Sequence, residues 1–206
     1  VVVRATTGLK FRPATASRWN DFERLFGDRG ACGGCWCMAW RLKSTAWQKG
    51  KGPGNKKAMR ALIVRGRAPG ILAYSGRDPV GWCSIAPRED FTFLNRSRVL
   101  APIDDVKVWS ISCLFIKKEY RHQGVSVKLL KAATEYVKAK CGNVVEGYPT
   151  VPYSSKMPDA FAWTGLLSAF EKAGFKEVAR RSKSRPIMRF CIPREKQDSS
   201  IRRRDY

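Results

Sequence analysis

Apolar residues recur at helical spacing in several stretches of the chain. Trp19, Phe22, Leu25 and Phe26 follow Arg12-Pro13-Ala14-Thr15-Ala16-Ser17 at intervals of three and four, which predicts a capped amphipathic helix closed by Gly27 and Gly30. Asn55 is placed to cap a second helix running to about Arg65, with Gly66 after it. Val127, Leu130, Thr134, Val137 and Cys141 predict a third over 125–140. Ala160 to Ala173 predicts a fourth, stopped by Gly174 with Phe175 in contact beyond it. Two apolar runs, Ile71–Tyr74 and Pro79–Ile85, flank the turn residues Ser75-Gly76-Arg77-Asp78 and predict a hairpin. Val108 to Ile116 is β-rich and apolar enough for a central strand. Shorter strands are expected at 144–148, 178–181 and 186–191. Gly30–Gly54 and Arg88–Asp105 have no periodicity, and the first is long enough for a connection to imply function. The order ααββ-βαβαββ is mixed α/β, without internal repeats.

Length and composition narrow this little. The 206 residues fit one domain over 1–192, followed by a charged, Ser-containing tail over 193–206 that is expected to be loose. A hydrophobic fraction of 44% excludes a disordered chain, and no apolar run reaches about 18 residues, so no membrane partner is expected. The opening Val1-Val2-Val3-Arg4-Ala5-Thr6-Thr7 lacks the layout of a secretion signal. Seven scattered cysteines, an odd number, suit a reducing compartment with mostly buried, unreactive thiols. A cytoplasmic monomer or homodimer is therefore expected.

Charge changes the picture more. Lys and Arg number 40 against 17 Asp and Glu, a formal net charge of +23. Between Asp28 and Asp78 there is no acidic residue, while eleven Lys and Arg fall there with Trp36, Trp40 and Trp47 among them. A second acid-free stretch separates Glu177 from Glu195. Such surfaces attract polyanions, nucleic acid included, although a solvated basic face with no specific partner has the same composition.

The most specific segment is Leu114-Phe115-Ile116-Lys117-Lys118-Glu119-Tyr120-Arg121-His122-Gln123-Gly124-Val125-Ser126, leading on to Leu129-Leu130. A strand passes through a basic turn into a helix, which aims backbone N–H groups and the helix dipole at one point and makes an anion site. The segment resembles motif A of the GNAT-type N-acetyltransferases, Arg/Gln-x-x-Gly-x-Gly/Ala, here Arg121-x-x-Gly124-x-Ser126. Pro79-Val80-Gly81-Trp82 looks like a strand of that family's central hairpin, and Phe170-Glu171-Lys172-Ala173-Gly174-Phe175 like its closing helix. The resemblance runs in order from about Phe11 to Phe190. It implies a mixed, mostly antiparallel sheet flanked by helices, with splayed central strands.

It also implies a chemistry, with acetyl-coenzyme A as cosubstrate; no metal is expected. Arg121, His122, Gln123, Gly124, Val125 and Ser126 would hold the pyrophosphate, and Leu114, Phe115 and Ile116 would pair with the pantetheine arm. Phe170 stands where many members carry a Tyr that protonates the departing thiolate. The reaction needs a neutral amine, and deprotonating a lysine-like amine at pH 7 costs about 4.6 kcal/mol. Glu146 matches the position of a catalytic Glu in several members and is the expected base. Tyr148 is a candidate for the missing acid.

Cys32-Gly33-Gly34-Cys35-Trp36-Cys37 could bind zinc or form a redox pair, but Trp36, Met38 and Trp40 beside it favour an apolar loop shaping the acceptor cavity. Trp36, Trp40 and Trp82 are accordingly expected at the substrate. The expected activity is acetylation of a primary amine on a small molecule. Its rivals are a protein lysine or N-terminal acetyltransferase, and an RNA- or ribosome-binding module on the same fold that stacks bases on the tryptophans without turnover.

Overall fold

The computed structural model describes residues 8–154 and 157–193, so most of the expected tail over 193–206 lies outside the described residues. In chain order the elements are β1 (Lys10–Pro13), α1 (Trp19–Phe26), α2 (Ser44–Lys49), α3 (Pro53–Val64), β2 (Gly70–Ser75) and β3 (Asp78–Pro87). They continue as β4 (Trp109–Ile116), α4 (Val125–Lys138), β5 (Val144–Gly147), α5 (Leu167–Lys172), β6 (Lys176–Ala179) and β7 (Ile187–Cys191). The seven strands form one sheet in the order β1-β2-β3-β4-β5-β7-β6. Every pairing is antiparallel except β4 with β5.

Side-chain alternation sorts the strands onto two cores. Ile71, Ala73, Cys83, Ile85, Ile111 and Leu114 pack with Val125, Leu129, Leu130 and Ala133 of α4 and with Phe170 of α5. Leu72, Tyr74 and Trp82 face the other way, against Trp19, Phe22, Leu25 and Phe26 of α1 and Met59 and Ile63 of α3. A third cluster, with Trp40, Phe91, Leu94, Leu100 and Tyr148, fills one end of the molecule. Among the described residues no helix is long and apolar enough to cross a membrane.

The expected elements at α1, the hairpin, β4, α4, β5 and β7 are present, and four local expectations change. β1 was hidden in the presumed lead-in to α1: Lys10–Pro13 is an edge strand on Tyr74–Ile71. The stretch Gly30–Gly54 contains α2, a helix with no buried residue and hence no stripe to read. Asn55 does not cap α3. The helix starts at Pro53 behind Gly52, and the buried Asn55 amide donates to Gly34 O (3.1 Å) and Trp47 O (3.2 Å). The expected helix over 160–173 is broken at Gly165, whose φ of 86° no helix allows, into a 3-10 turn (Asp159–Ala162) and α5.

Candidate active site

The turn between β4 and α4 has the backbone of an anion cradle. His122 (φ 58°) and Gly124 (φ 74°) both adopt left-handed angles, and Gly124 is the residue just before α4. A Cβ placed on Gly124 would meet nothing within 4 Å, so the space above the helix end is open. No side chain caps this end and no acidic residue stands in the first turn. The first N–H groups of a helix have no partner within it, and with the helix dipole they favour an anion there. Lys117, Lys118, Arg121 and His122 surround them in sequence. The turn is tied back on itself: Arg121 Nε donates to Ile116 O (3.0 Å) and Gln123 Nε2 to Glu119 O (2.8 Å).

Before the turn, β4 parts from its parallel neighbour. The two strands pair only at Trp109–Ile111 with Val145–Gly147. On its other side β4 has an extra residue at Ser112, where the register with β3 shifts between Ser84 and Ile85. Such a bulge bends the strand. Past it, Leu114 N–H donates to Trp163 O (2.7 Å) rather than to β5. Of the three residues expected to pair with the pantetheine arm, Leu114 and Ile116 lie where β4 has left β5, with Leu114 N–H on Trp163 O and Ile116 O on Arg121 Nε. Phe115 sits opposite Trp82 of β3 and its ring packs 5.4 Å from Phe26. Phe170 packs against the end of β5: a Cβ on Gly147 would stand 2.1 Å from its ring, so any side chain there forces the ring to shift.

Glu146 is 1% exposed and lies in a network of charges. Its Oε1 accepts from Arg88 Nη1 (3.0 Å) and from Tyr148 OH (2.6 Å), and its Oε2 from Arg189 Nε (2.8 Å). Arg88 also donates to Tyr148 OH (2.7 Å) and to the carbonyls of Leu94 and Leu100, and Arg189 reaches on to Asp104. Ser110 of β4 shares a hydrogen bond with Tyr148 OH (2.9 Å). Burial, and then the Glu146 charge, raise the Tyr148 hydroxyl far above its ordinary pKa. The expected free base is thus a carboxylate with both oxygens engaged by guanidiniums, and the candidate acid is a buried phenol donating to it.

Comparison with known proteins decides the family. The sequence profile of the acetyltransferase (GNAT) family matches residues 36–150, more than half the chain. This chain belongs to the GNAT acetyltransferases. No curated protein matches it in sequence. Solved structures share its fold at low identity. A PaiA N-acetyltransferase from Thermoplasma acidophilum, in complex with coenzyme A, has a TM-score of 0.52 at 16% identity, covering 90% of this chain and 100% of that one. A GNAT acetyltransferase from Streptococcus agalactiae gives 0.53 at 12%, over 91% and 98%. A chain of the NatC complex bound to Gag peptide and coenzyme A gives 0.50 at 14%, over 90% and 99%. The protein is an acyl-CoA-dependent acetyltransferase, and the open cradle at Gly124 fits a phosphate-bearing cosubstrate.

In this GNAT the tryptophans expected at the substrate are core residues. Trp82 (0% exposed) and Trp36 (2%) pack with Trp19, Phe22 and Phe26. Trp40 stacks on Phe93 (4.9 Å) and meets Tyr148 and Trp163. The structure thus places Trp36, Trp40 and Trp82 in the core with little exposed ring, whereas Trp47 is half-buried with the Lys51 ammonium 5.0 Å from its ring centre. The three thiols of the Cys32–Cys37 stretch also part company: Cys32 is exposed, Cys35 half-buried and Cys37 buried. Cys141 and Cys191 are exposed too, against the expectation of mostly buried thiols. Sequence reasoning missed Arg88 and Arg189, the partners of Glu146, because nothing local marks a pairing across 58 and 43 residues.

Proposed function

We propose that this acetyltransferase acts on a small molecule whose primary amine is accompanied by a carboxylate or phosphate. When bound, acetyl-coenzyme A supplies the activated thioester. The amides from Gly124 to Ser126 hold its phosphates, Arg121 adds positive field, His122 lies beside them in the turn, and the edge of β4 at Leu114 and Ile116 orients the arm. Phe170 carries no proton to give. With both oxygens of Glu146 committed to Arg88, Arg189 and Tyr148, its role in this reading is to tie β5 to β7 and to the segment after β3. The amine then enters in its neutral form.

The observation that carries the acceptor class is the excess of basic side chains on and beside α2 and α3, among which Lys56 is paired with Glu23 of α1. α2 and α3 cover the α1 side of the sheet, and Lys43, Lys49, Lys57, Arg60 and Arg65 are exposed on and beside them. A bare polyamine meets like charge there, and like-charge juxtaposition at a recognition surface costs several kcal/mol. An anionic group on the acceptor reverses the sign. Thiol-release kinetics over matched amines test this. Amino acids and amino phosphates should be turned over with at least tenfold higher kcat/KM than spermidine or an aminoglycoside. The reverse ranking would show that the basic side chains do not face the acceptor.

A further inference from the structure

Beyond the point where β4 and β5 part, residues 163–167 lie between them. Leu114 N–H donates to Trp163 O (2.7 Å), while Thr150, past the end of β5, donates its N–H to Gly165 O (2.8 Å) and accepts from Leu167 N–H (3.2 Å). The connection from β6 to β7 reaches the same place, where Val151 N–H donates to Ser184 O (2.9 Å). Arg185 comes next in the chain. Its Nη1 donates to Tyr148 O (3.2 Å) and to Thr164 Oγ1 (3.0 Å), and Thr164 Oγ1 shares a hydrogen bond with Thr150 Oγ1 (3.1 Å). One side of the guanidinium is thereby fixed against the residue that follows Trp163.

The other side is free. A guanidinium carries five N–H donors in one plane, and among the described residues nothing accepts from Nε or Nη2 of Arg185. Arg185 is half-buried, and neither of these nitrogens is sealed in the interior, unlike Nε of Arg41. The surface beside it is open, with Phe161 58% and Tyr153 74% exposed, and Phe161 O accepts from Thr150 Oγ1 (3.4 Å). Neighbouring arginines are occupied. Arg88 and Arg189 pair with Glu146, Arg180 pairs with Glu177, and Arg181 donates to the carbonyls of Ala101 and Pro102. Among the described residues no carboxylate pairs with Arg185, and burial lowers its pKa with no charge opposing that. A cation partly withdrawn from water without a counter-charge gains from an incoming anion.

We propose that the Nε–Nη2 edge of Arg185 binds the anionic group of the acceptor and so makes Arg185 a specificity-determining residue of the acetyltransferase. The inference rests on the reading of the acceptor as an amine that also bears a carboxylate or phosphate. In that reading the coenzyme arm runs from the turn back along β4, which brings its acetyl end towards Leu114 and hence towards the segment that Arg185 holds. The exposed lysines and arginines of α2 and α3 attract the acceptor, and Arg185 gives it a fixed contact. Two parallel N–H donors match two oxygens of a carboxylate or phosphate, a geometry that an ammonium cannot reproduce. Because Nη1 is already held by Tyr148 O and Thr164 Oγ1, the fork is oriented before the acceptor arrives.

Thiol-release kinetics on matched amines test this, with phenylalanine against 2-phenylethylamine and O-phosphoethanolamine against ethanolamine. The members of each pair differ by the anion, and a ratio of kcat/KM taken within one preparation cancels any loss of folded protein. In the wild type the anion-bearing member of at least one pair should be favoured by about tenfold or more. Arg185→Met should remove most of that preference through a rise in the KM of the anion-bearing member. Arg185→Lys, which keeps the charge without the planar fork, should recover part of it. The pair that responds tells carboxylate from phosphate. A preference that survives Arg185→Met, or that falls instead in the double variant Lys57→Met with Arg60→Met, would overturn the Arg185 assignment and leave the acceptor class standing. No preference in the wild type would overturn both.

Discussion

Replacing Glu146 with Gln separates two roles for the same residue. The change keeps volume but removes the charge that Arg88 and Arg189 share. Arg189 keeps Asp104 as an ion-pair partner. Arg88, whose side chain is 10% exposed, keeps only the Leu94 and Leu100 carbonyls and Tyr148 OH, all neutral. The amide nitrogen of Gln must also point at one of two donors. Removing one partner of a buried pair costs about 3–5 kcal/mol, against a total stability of about 5–15 kcal/mol for a typical domain. At about 2–4 °C per kcal/mol for a chain of this size, the variant should melt roughly 6–20 °C below the wild type. The assay pairs urea and thermal unfolding with thiol-release kinetics at low temperature, corrected for the folded fraction. The structural role predicts a large loss of stability with kcat within a few-fold of wild type. A Gln variant that melts within about 2 °C of the parent yet turns over about 10²-fold more slowly would refute the reasoning and make Glu146 the base.

Two further predictions concern glycines. Coenzyme A at 100 times its Kd should stabilise the chain by about 2.7 kcal/mol, and Gly124→Glu, which fills the open cradle with bulk and negative charge, should abolish that shift in a thermal melt. Gly147→Ala, whose Cβ falls on the Phe170 ring, should cost about 1–3 kcal/mol in urea unfolding, and Gly147→Ala with Phe170→Leu should recover part of it; full stability of the single variant would mean that this ring is not held against the end of β5.

Much of the fold was legible because local signals agreed with tertiary ones. At β4 and α4 the apolar period changes from two to three-and-four across a turn that contains Gly124, and the structure has strand, turn and helix there. β1 was not legible: four residues ending in Pro13 carry too little alternation to announce an edge strand. α2 has no fully buried residue and sets only the half-buried Trp47 against the core, so it leaves no stripe. Asn55 looked like a cap, but two carbonyls brought in by Gly34 and Trp47 claim its amide. The site followed the same division. The phosphate turn is one continuous segment and could be read. Whether Trp36 and Trp82 line a cavity or fill a core depends on α1 folding over them, and composition is the same in both cases. The environment of Glu146 is assembled from β5, β7 and the segment after β3, so sequence could name the residue and not its neighbours.

The bond from Leu114 N–H to Trp163 O has a consequence for where coenzyme affinity resides. An arm that pairs with that amide exchanges one hydrogen bond for another, and the exchange is close to neutral in free energy. The segment around Trp163 must also give way, which adds a conformational toll to binding at the thioester end. At the helix end no side chain caps the first amides, and a Cβ on Gly124 would meet nothing within 4 Å. If the coenzyme binds as proposed, recognition is lopsided, with grip at the nucleotide half and register at the acetyl half. A fragment that retains the phosphates but lacks the thioester should occupy the chain almost as well as the whole molecule, whereas a pantetheine thioester without phosphates has to displace a backbone contact with little to hold it.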